Sequence, residues 1–270
     1  MQAQTSGRLV SAAVGSTLVG VAVWAILFVR SAAGQAPPVA VDPNAPRVPV
    51  LVELFTSEGC SSCPPAEDVL VRLDREQPVP GVEIIPVGFH VDYWDDLGWA
   101  DPFSSPAWSD RQRDYDRGTG RVYTPQAVVQ GGGECVGSDD SALRGLARQA
   151  AAAHTPRLAV TMSAGSTPGT LHVRVAAPAG AVRDQVEVSV VLVERGIVVD
   201  VQRGENRGRH LAHAPVARDL VTAGVLTAAG GALDATLPVP AGVHRENLRV
   251  VAVAQQRGGR VVALGSGAVQ

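Results

Sequence analysis

The sequence predicts an α/β domain followed by an antiparallel β-sandwich-like domain, both behind an N-terminal transmembrane or signal segment. Three observations lead there. An uncharged apolar run, Leu9 to Val29, lies between Arg8 and Arg30. Between residues 48 and 156, continuous apolar runs alternate with segments of helical pattern, as in a sheet buried on both faces. From about residue 157 the texture changes to short, valine-rich segments that alternate apolar and polar residues between Gly, Pro, Ser and Asp turns. That pattern is expected of strands with one solvated face. With 46% apolar and 18% charged residues, the chain can bury a core, which excludes wholesale disorder.

Residues 1–30 are the targeting element. About 20 apolar residues at 1.5 Å each cross a hydrocarbon core of about 30 Å, whereas a cleaved signal peptide has a shorter apolar region. Length therefore favours an uncleaved signal anchor. SAAGQAPP, with small residues at cleavage spacing, keeps a cleaved signal open, and Arg30 departs from a strict positive-inside pattern. Either fate exports the body of the protein, to the periplasm or another extracytoplasmic space. An anchor would tether it to the inner membrane. Residues 31–47, rich in Ala and Pro, form a semi-extended linker.

The first domain spans residues 48–156. VPVLVELFT (48–56) and VEIIPVGFHV (82–91) read as buried strands. SSCPPAEDVLVRLDRE (61–76) reads as a helix, with apolar Val69, Leu70 and Leu73 and acids near its start. Residues 92–123 hold an aromatic-rich insert with a helix around SDRQRDYDR, and TPQAVVQGGGECVGS (124–138) reads as strand, glycine turn, strand. SALRGLARQAAAAH (141–154) is a helix with Ser141 as its expected cap. The order β-α-β-α-β-β-α is that of a thioredoxin-like domain. The second domain, residues 157–270, contains RLAVTMSA, TLHVRVAA, QVEVSVVLVER, GIVVDVQRG, ALDATLPVP and LRVVAVAQQR as its strands.

Composition narrows the function. A net charge of −3 gives no electrostatic footprint for nucleic acid. No phosphate loop, Rossmann glycine pattern or His-Glu-x-x-His motif is present, and GGGECVG is a hairpin turn. The chain has three cysteines, and two form Cys60-Ser61-Ser62-Cys63 between a buried strand and a helix. Three readings stand: a redox pair, half of a metal site, and a structural staple. In the redox reading Cys60 sits at the helix start, where the macrodipole favours its thiolate, and Cys63 resolves. An exported protein meets an oxidising compartment in which such a disulfide persists. The partner of the redox reading is Thr124-Pro125, just before AVV, where a cis proline would face the cysteines and guide an extended substrate chain.

The stretches VELFTSEGCSSCPPAE, GFHVDYWDDLGWADPFSSPAWSDRQRDYDR, VYTPQAVVQG and RGENRGRHLAHAPVARDL resemble the bacterial secreted-protein family catalogued as domain of unknown function 1223. The resemblance runs from about Val48 to the C-terminus. It implies a thioredoxin-like fold with an appended β-rich part, and it matches Cys60, Cys63, Thr124 and Pro125 to thioredoxin-type positions. The Ser-Ser between the cysteines departs from thioredoxin's Gly-Pro, which leaves the direction of electron flow open. The expected partner is a protein thiol or disulfide. No cofactor and no metal ligand set is assigned.

Other residues carry competing readings. His90 could tune a thiol, or join Cys60 and Cys63 as a copper carrier, or simply hydrogen-bond a nearby carboxylate such as Asp92, Asp95 or Asp96. Trp94, Trp99 and Trp108 could line a peptide groove or pack the insert. Asp101, Asp110, Arg111, Arg113, Asp114, Asp116 and Arg117 read as a solvated helix face, and Cys135 as a small buried apolar residue. Arg203, Arg207, Arg209, His210 and His213 could grip an anion or belong to a turn docked on the first domain. The rival to an oxidoreductase is a binding module whose disulfide is only a staple.

Overall fold

A computed structural model describes residues 46–116, 122–257 and 259–269. The predicted anchor, most of the linker, and Arg117 lie outside them. Among the described residues no helix is long and apolar enough to cross a membrane.

The strand β1 (Val48–Thr56) is buried from Pro49 onward and pairs parallel with β2 (Val82–His90). Its alternation is what organises the fold. Val50, Val52 and Leu54 face a core made with helices α1 (Pro64–Glu76) and α3 (Asp140–Ala151). Leu51 and Phe55 face the opposite core, where Phe89 stacks on Phe55 and Trp108 meets Phe89 edge-on. Helix α2 (Pro106–Asp114) supplies Trp108, with Ser105 as its cap and Pro106 at its first position. A 3-10 helix, Asp92–Leu97, follows β2. Strands β3 (Gln126–Val129) and β4 (Gly133–Val136) form the hairpin, β3 lying antiparallel to β1.

Two expected helix starts shift. α1 begins at Pro64 with Cys63 as its N-cap residue, because Pro64 and Pro65 suit a first turn whose N–H groups have no intrahelical partner. Cys60 therefore lies one turn ahead of the helix rather than at its start. α3 is capped by Asp139, whose carboxylate accepts from Ala142 N at 2.9 Å, and not by Ser141.

After α3 come β5 (Ala159–Ala164), β6 (Thr170–Ala177), β7 (Val186–Glu194), β8 (Val198–Asp200) and β9 (His210–Ala212). Then follow β10 (Val216–Leu226), β11 (Gly231–Pro238), β12 (Leu248–Gln255) and β13 (Val261–Ala268). The large sheet runs β13-β12-β7-β10-β2-β1-β3-β4, and β11-β6-β5 form a small antiparallel sheet. This is a mixed α/β fold with parallel strands and small antiparallel sheets. Strands from either side of the 156/157 boundary share one sheet, joined where Gly88 N donates to Pro215 O at 2.7 Å and β10 runs parallel to β2. The described residues accordingly belong to one compact unit.

The two faces of β7 and β12 divide the labour. Val188, Val190, Val250 and Ala252 pack under the small sheet, and Val191, Val193, Val251 and Val253 join the core of Leu51 and Phe89. The edge strand β13 comes back to the end of β3. Gln130, just past β3, exchanges backbone bonds of 2.9 Å and 3.0 Å with Leu51 and Val261, and its side-chain oxygen accepts from Leu51 N.

Candidate functional site

The chain turns sharply after β1, and this turn carries Cys60 and Cys63, joined as a disulfide. Cys63 N donates to Cys60 O at 3.1 Å, and Cys60 Sγ lies 3.3 Å from Ser62 Oγ. Ser61 and Ser62 are exposed, yet each cysteine is only 1% exposed. Trp94 stands beside the turn at Gly59, and its Nε1 donates to Thr124 Oγ1 at 2.8 Å. The Thr124–Pro125 peptide is cis, and Pro125 is buried against the same small space at Gly137 that Ala66 of α1 lines. Cys63 and Pro125 thus lie at the start of α1, and Thr124 connects to the cysteine turn through Trp94.

The loop between β8 and β9 covers the cysteines. Asn206, 1% exposed, donates to Glu58 O at 2.8 Å and to Cys60 O at 2.9 Å. Ser61 N donates to the Glu205 carboxylate at 3.0 Å, and the Ser61 hydroxyl first and this N–H second hold Glu205 below the ordinary carboxylate range. Gly204, in the left-handed region at φ +73, touches Trp99 so closely that a Cβ would stand 3.0 Å from the tryptophan's own Cβ. The docking reading of 203–213 describes this loop. Arg203, Arg207, Arg209 and His210 are exposed, with Arg209 donating to Asn206 Oδ1 and His210 bonded to Asp200, and of these five residues only His213 is buried.

Beneath the disulfide lies a buried polar cluster. His90, at the end of β2, holds Asp101 Oδ2 at 2.7 Å through Nδ1, so its carboxylate partner is neither Asp92, Asp95 nor Asp96. Asp101 also accepts from Glu58 N at 2.8 Å. Glu58 binds His213 Nε2 at 3.0 Å and Trp99 Nε1 at 2.6 Å. Glu67, one turn beyond Cys63, accepts from Ala214 N at 2.7 Å through Oε2. Phe103 closes the cluster, its ring edge-on to both imidazoles. Arg218 sits 4.9 Å above that ring.

Electrostatics follow from this packing. Burial raises Glu67 and Asp101, but the imidazoles beside them and the N–H groups they accept outweigh it, so both sit below the usual carboxylate range. Burial lowers His213, and Glu58 and Glu67 reverse the sign, raising it to about 10. Three polar atoms of this cluster have no hydrogen-bond partner among the described residues: Glu67 Oε1, His90 Nε2 and His213 Nδ1.

Sequence reasoning missed Glu58, Glu67, Asp101, Asn206 and His213 as members of one site. Each lies within the four motif stretches quoted above, which is the signal that could have gathered them. Asp101, 4% exposed, is buried and Arg111, whose side chain is 14% exposed, is largely covered rather than solvated, whereas Asp110, Arg113 and Asp114 are exposed as expected. Trp108 packs the core, while Trp94 and Trp99 donate into the site.

Cys135 is a free, half-buried thiol paired across β3 with Ala127. Burial, then Asp139 and Glu134, push it up to about 11. A raised thiol pKa means less thiolate at a given pH. Alkylation of Cys135 at pH 8 should therefore run about a hundredfold slower than that of an unperturbed thiol. It should climb about tenfold per pH unit until near pH 11, as a mass-shift time course will read.

Residues 51–255 match the family described as Protein of unknown function (DUF1223), and the chain belongs to that family. No curated protein matches it. Among solved structures it is similar to protein AGR_C_4864 from Agrobacterium tumefaciens, with 26% identity and a TM-score of 0.61. That likeness covers 83% of this chain and 94% of that one. A second likeness, to the sporulation control protein Spo0M from Bacillus subtilis, has 14% identity and a TM-score of 0.27 over 41% of this chain and 46% of that one. Nothing is carried over from it.

Proposed function

We propose that this protein is an exported, thioredoxin-like thiol–disulfide oxidoreductase acting through Cys60 and Cys63. The observation that carries it is a disulfide placed between β1 and α1, with a cis Thr124–Pro125 peptide ahead of β3 that is linked to the cysteine turn through Trp94 and to α1 through the space at Gly137. The order β2-β1-β3-β4, with β1 and β2 parallel and β3 and β4 antiparallel, supports the thioredoxin-like reading of this part.

The chemistry is an exchange of sulfur–sulfur bonds. In the oxidising direction a substrate thiolate attacks Cys60 Sγ, the Cys60–Cys63 bond breaks, and Cys63 leaves as thiolate. A second substrate thiolate then attacks the substrate sulfur of the mixed disulfide and releases Cys60. In the reducing direction the Cys60 thiolate attacks a substrate disulfide and Cys63 resolves the intermediate. Thr124 and Pro125 orient the substrate strand, and Ser62 Oγ is placed to stabilise the Cys60 thiolate. The partner is a protein thiol or disulfide in a periplasmic or other extracytoplasmic space, with residues 9–29 as the tether to the inner membrane. Recovery of the chain in the membrane fraction, lost on removing residues 1–30, tests the tether.

The decisive measurement is the reduction potential of the pair. The full chain with Cys135→Ser, equilibrated in glutathione buffers and read by alkylation mass shift, should give a reversible couple between about −120 and −270 mV. A couple below about −300 mV marks a structural disulfide. The near-complete burial of both cysteines favours that second reading, a binding module stapled at the start of α1. Its binding surface would then be the cleft of about 920 Å³ lined by Gln149, His154, Arg183 and Arg260.

A further inference from the structure

We infer that Glu67, His90 and His213 form a binding site for one divalent transition-metal ion of the zinc class. Glu67 Oε1 stands 3.9 Å from His90 Nε2 and 3.8 Å from His213 Nδ1, and all three atoms lie within 4.8 Å of one another. Among the described residues none of these three atoms has a hydrogen-bond partner, and the side chains are 6%, 0% and 2% exposed. Buried polar atoms normally find partners. Three that converge on one point without reaching each other define a place for a common partner.

The second contacts of these residues set the lone pairs. His90 gives its Nδ1 to Asp101, and His213 gives its Nε2 to Glu58. With those nitrogens donating, His90 Nε2 faces the centre, and an ion entering there displaces the proton that Glu58 and Glu67 otherwise hold on His213, so that its Nδ1 lone pair joins the set and binding weakens as pH falls. The second Glu67 oxygen is held by Ala214 N, which aims the first inward. Carboxylates behind metal-bound imidazoles fix tautomer and ring orientation in this way. Three buried carboxylates, Glu58, Glu67 and Asp101, also face the two imidazoles, and a divalent cation compensates that charge.

The donor set selects the ion. Two imidazole nitrogens and one carboxylate oxygen suit zinc, cobalt or ferrous iron, whereas calcium and magnesium favour sites built wholly of oxygen. Bonds of about 2.0–2.1 Å in a tetrahedron hold ligand atoms about 3.4 Å apart. Small side-chain rotations close these three onto an ion and leave a fourth position open. The disulfide sulfurs are not needed, which separates this site from a carrier built on Cys60, Cys63 and His90. It stands whether the cysteines exchange or merely staple.

The test uses the full chain in mild detergent with the disulfide intact, incubated at length with Co²⁺ or Zn²⁺ because the site is enclosed. One equivalent should survive gel filtration, Co²⁺ should show visible d–d bands without a thiolate charge-transfer band, and Zn²⁺ should raise the melting temperature. Glu67→Gln, which keeps an acceptor for Ala214 N, should weaken binding by about a hundredfold or more and abolish the melting shift. Asp101→Asn, which touches no ion, should cost about 10–100-fold. Circular dichroism shows that each variant is folded. Absence of stoichiometric metal overturns the site and leaves a bridging water among the three atoms. Equal retention by Glu67→Gln overturns it too, as does loss of the ion on Cys60→Ser with Cys63→Ser alone.

Discussion

Replacing Glu53 by alanine should lower the unfolding free energy by about 3–5 kcal/mol, the cost of breaking a buried ion pair from one side. Glu53 lies on the face of β1 that carries Leu51 and Phe55, and it is 0% exposed. Arg111 of α2 donates Nε to its carboxylate at 2.6 Å, and Tyr115 donates its hydroxyl to the other oxygen. Gln255 of β12 reaches the same hydroxyl at 2.9 Å. The guanidinium also lies 5.3 Å from the Phe89 ring centre. Burial alone would lower Arg111, but Glu53 raises it further, so it stays charged at every accessible pH. Burial and Glu53 together raise Tyr115, which stays a neutral donor. Without Glu53 a charged guanidinium is left among aromatic rings. A domain has about 5–15 kcal/mol in all, so the denaturant midpoint should drop by about a fifth or more. Glu53→Leu combined with Arg111→Met removes both charges and should recover most of the loss, since apolar replacement of a buried pair is often neutral or better. A Glu53→Ala change within about 0.5 kcal/mol of the parent, the size of an ordinary surface effect, would show that the pair does not pin α2 to the sheet.

That network also shows where the sequence stops speaking. β1, β2, the β3–β4 hairpin and three helices are legible because each buries a continuous or periodic apolar set. The cysteine turn is legible because its spacing is local. Arg111 is not, because its periodic neighbours Asp110, Arg113 and Asp114 are exposed and its partner lies 58 positions away. β10 is likewise hidden. VARDLVTAGVL interrupts its apolar positions with Arg218, Asp219 and Gly224, and it carries two register irregularities against β7. Yet β10 is the strand that fuses the later strands to β2. The cluster under the disulfide fails for the same reason. Glu58 and His213 are 155 positions apart, and no local pattern predicts that a polar loop will fold back over a cysteine turn.

The loop's hold on that turn gives the second large effect. Asn206→Ala should raise the rate at which a small thiol reduces the Cys60–Cys63 bond by about thirtyfold. Asn206 is the buried anchor of the loop, donating both amide hydrogens to Glu58 O and Cys60 O while its oxygen accepts from Arg209. Each neutral hydrogen bond contributes about 1 kcal/mol net. Loss of the two bonds to the cysteine turn eases local opening by about 2 kcal/mol, and at RT of about 0.6 kcal/mol the open fraction rises about thirtyfold. Reduction follows that fraction when opening and closing are fast beside the chemistry. The remaining contacts, Ser61 N to Glu205 and Gly204 against Trp99, keep the loop from detaching altogether, so global stability should change far less than the reduction rate. Stopped alkylation during dithiothreitol treatment reads the rate, and thermal melting reads the stability. A rate increase without a matching fall in melting temperature identifies loop 203–209 as the gate over the cysteines. An unchanged rate means that thiols reach the pair by another path, along Trp94 and Thr124, and the loop then serves the buried cluster beneath rather than the disulfide.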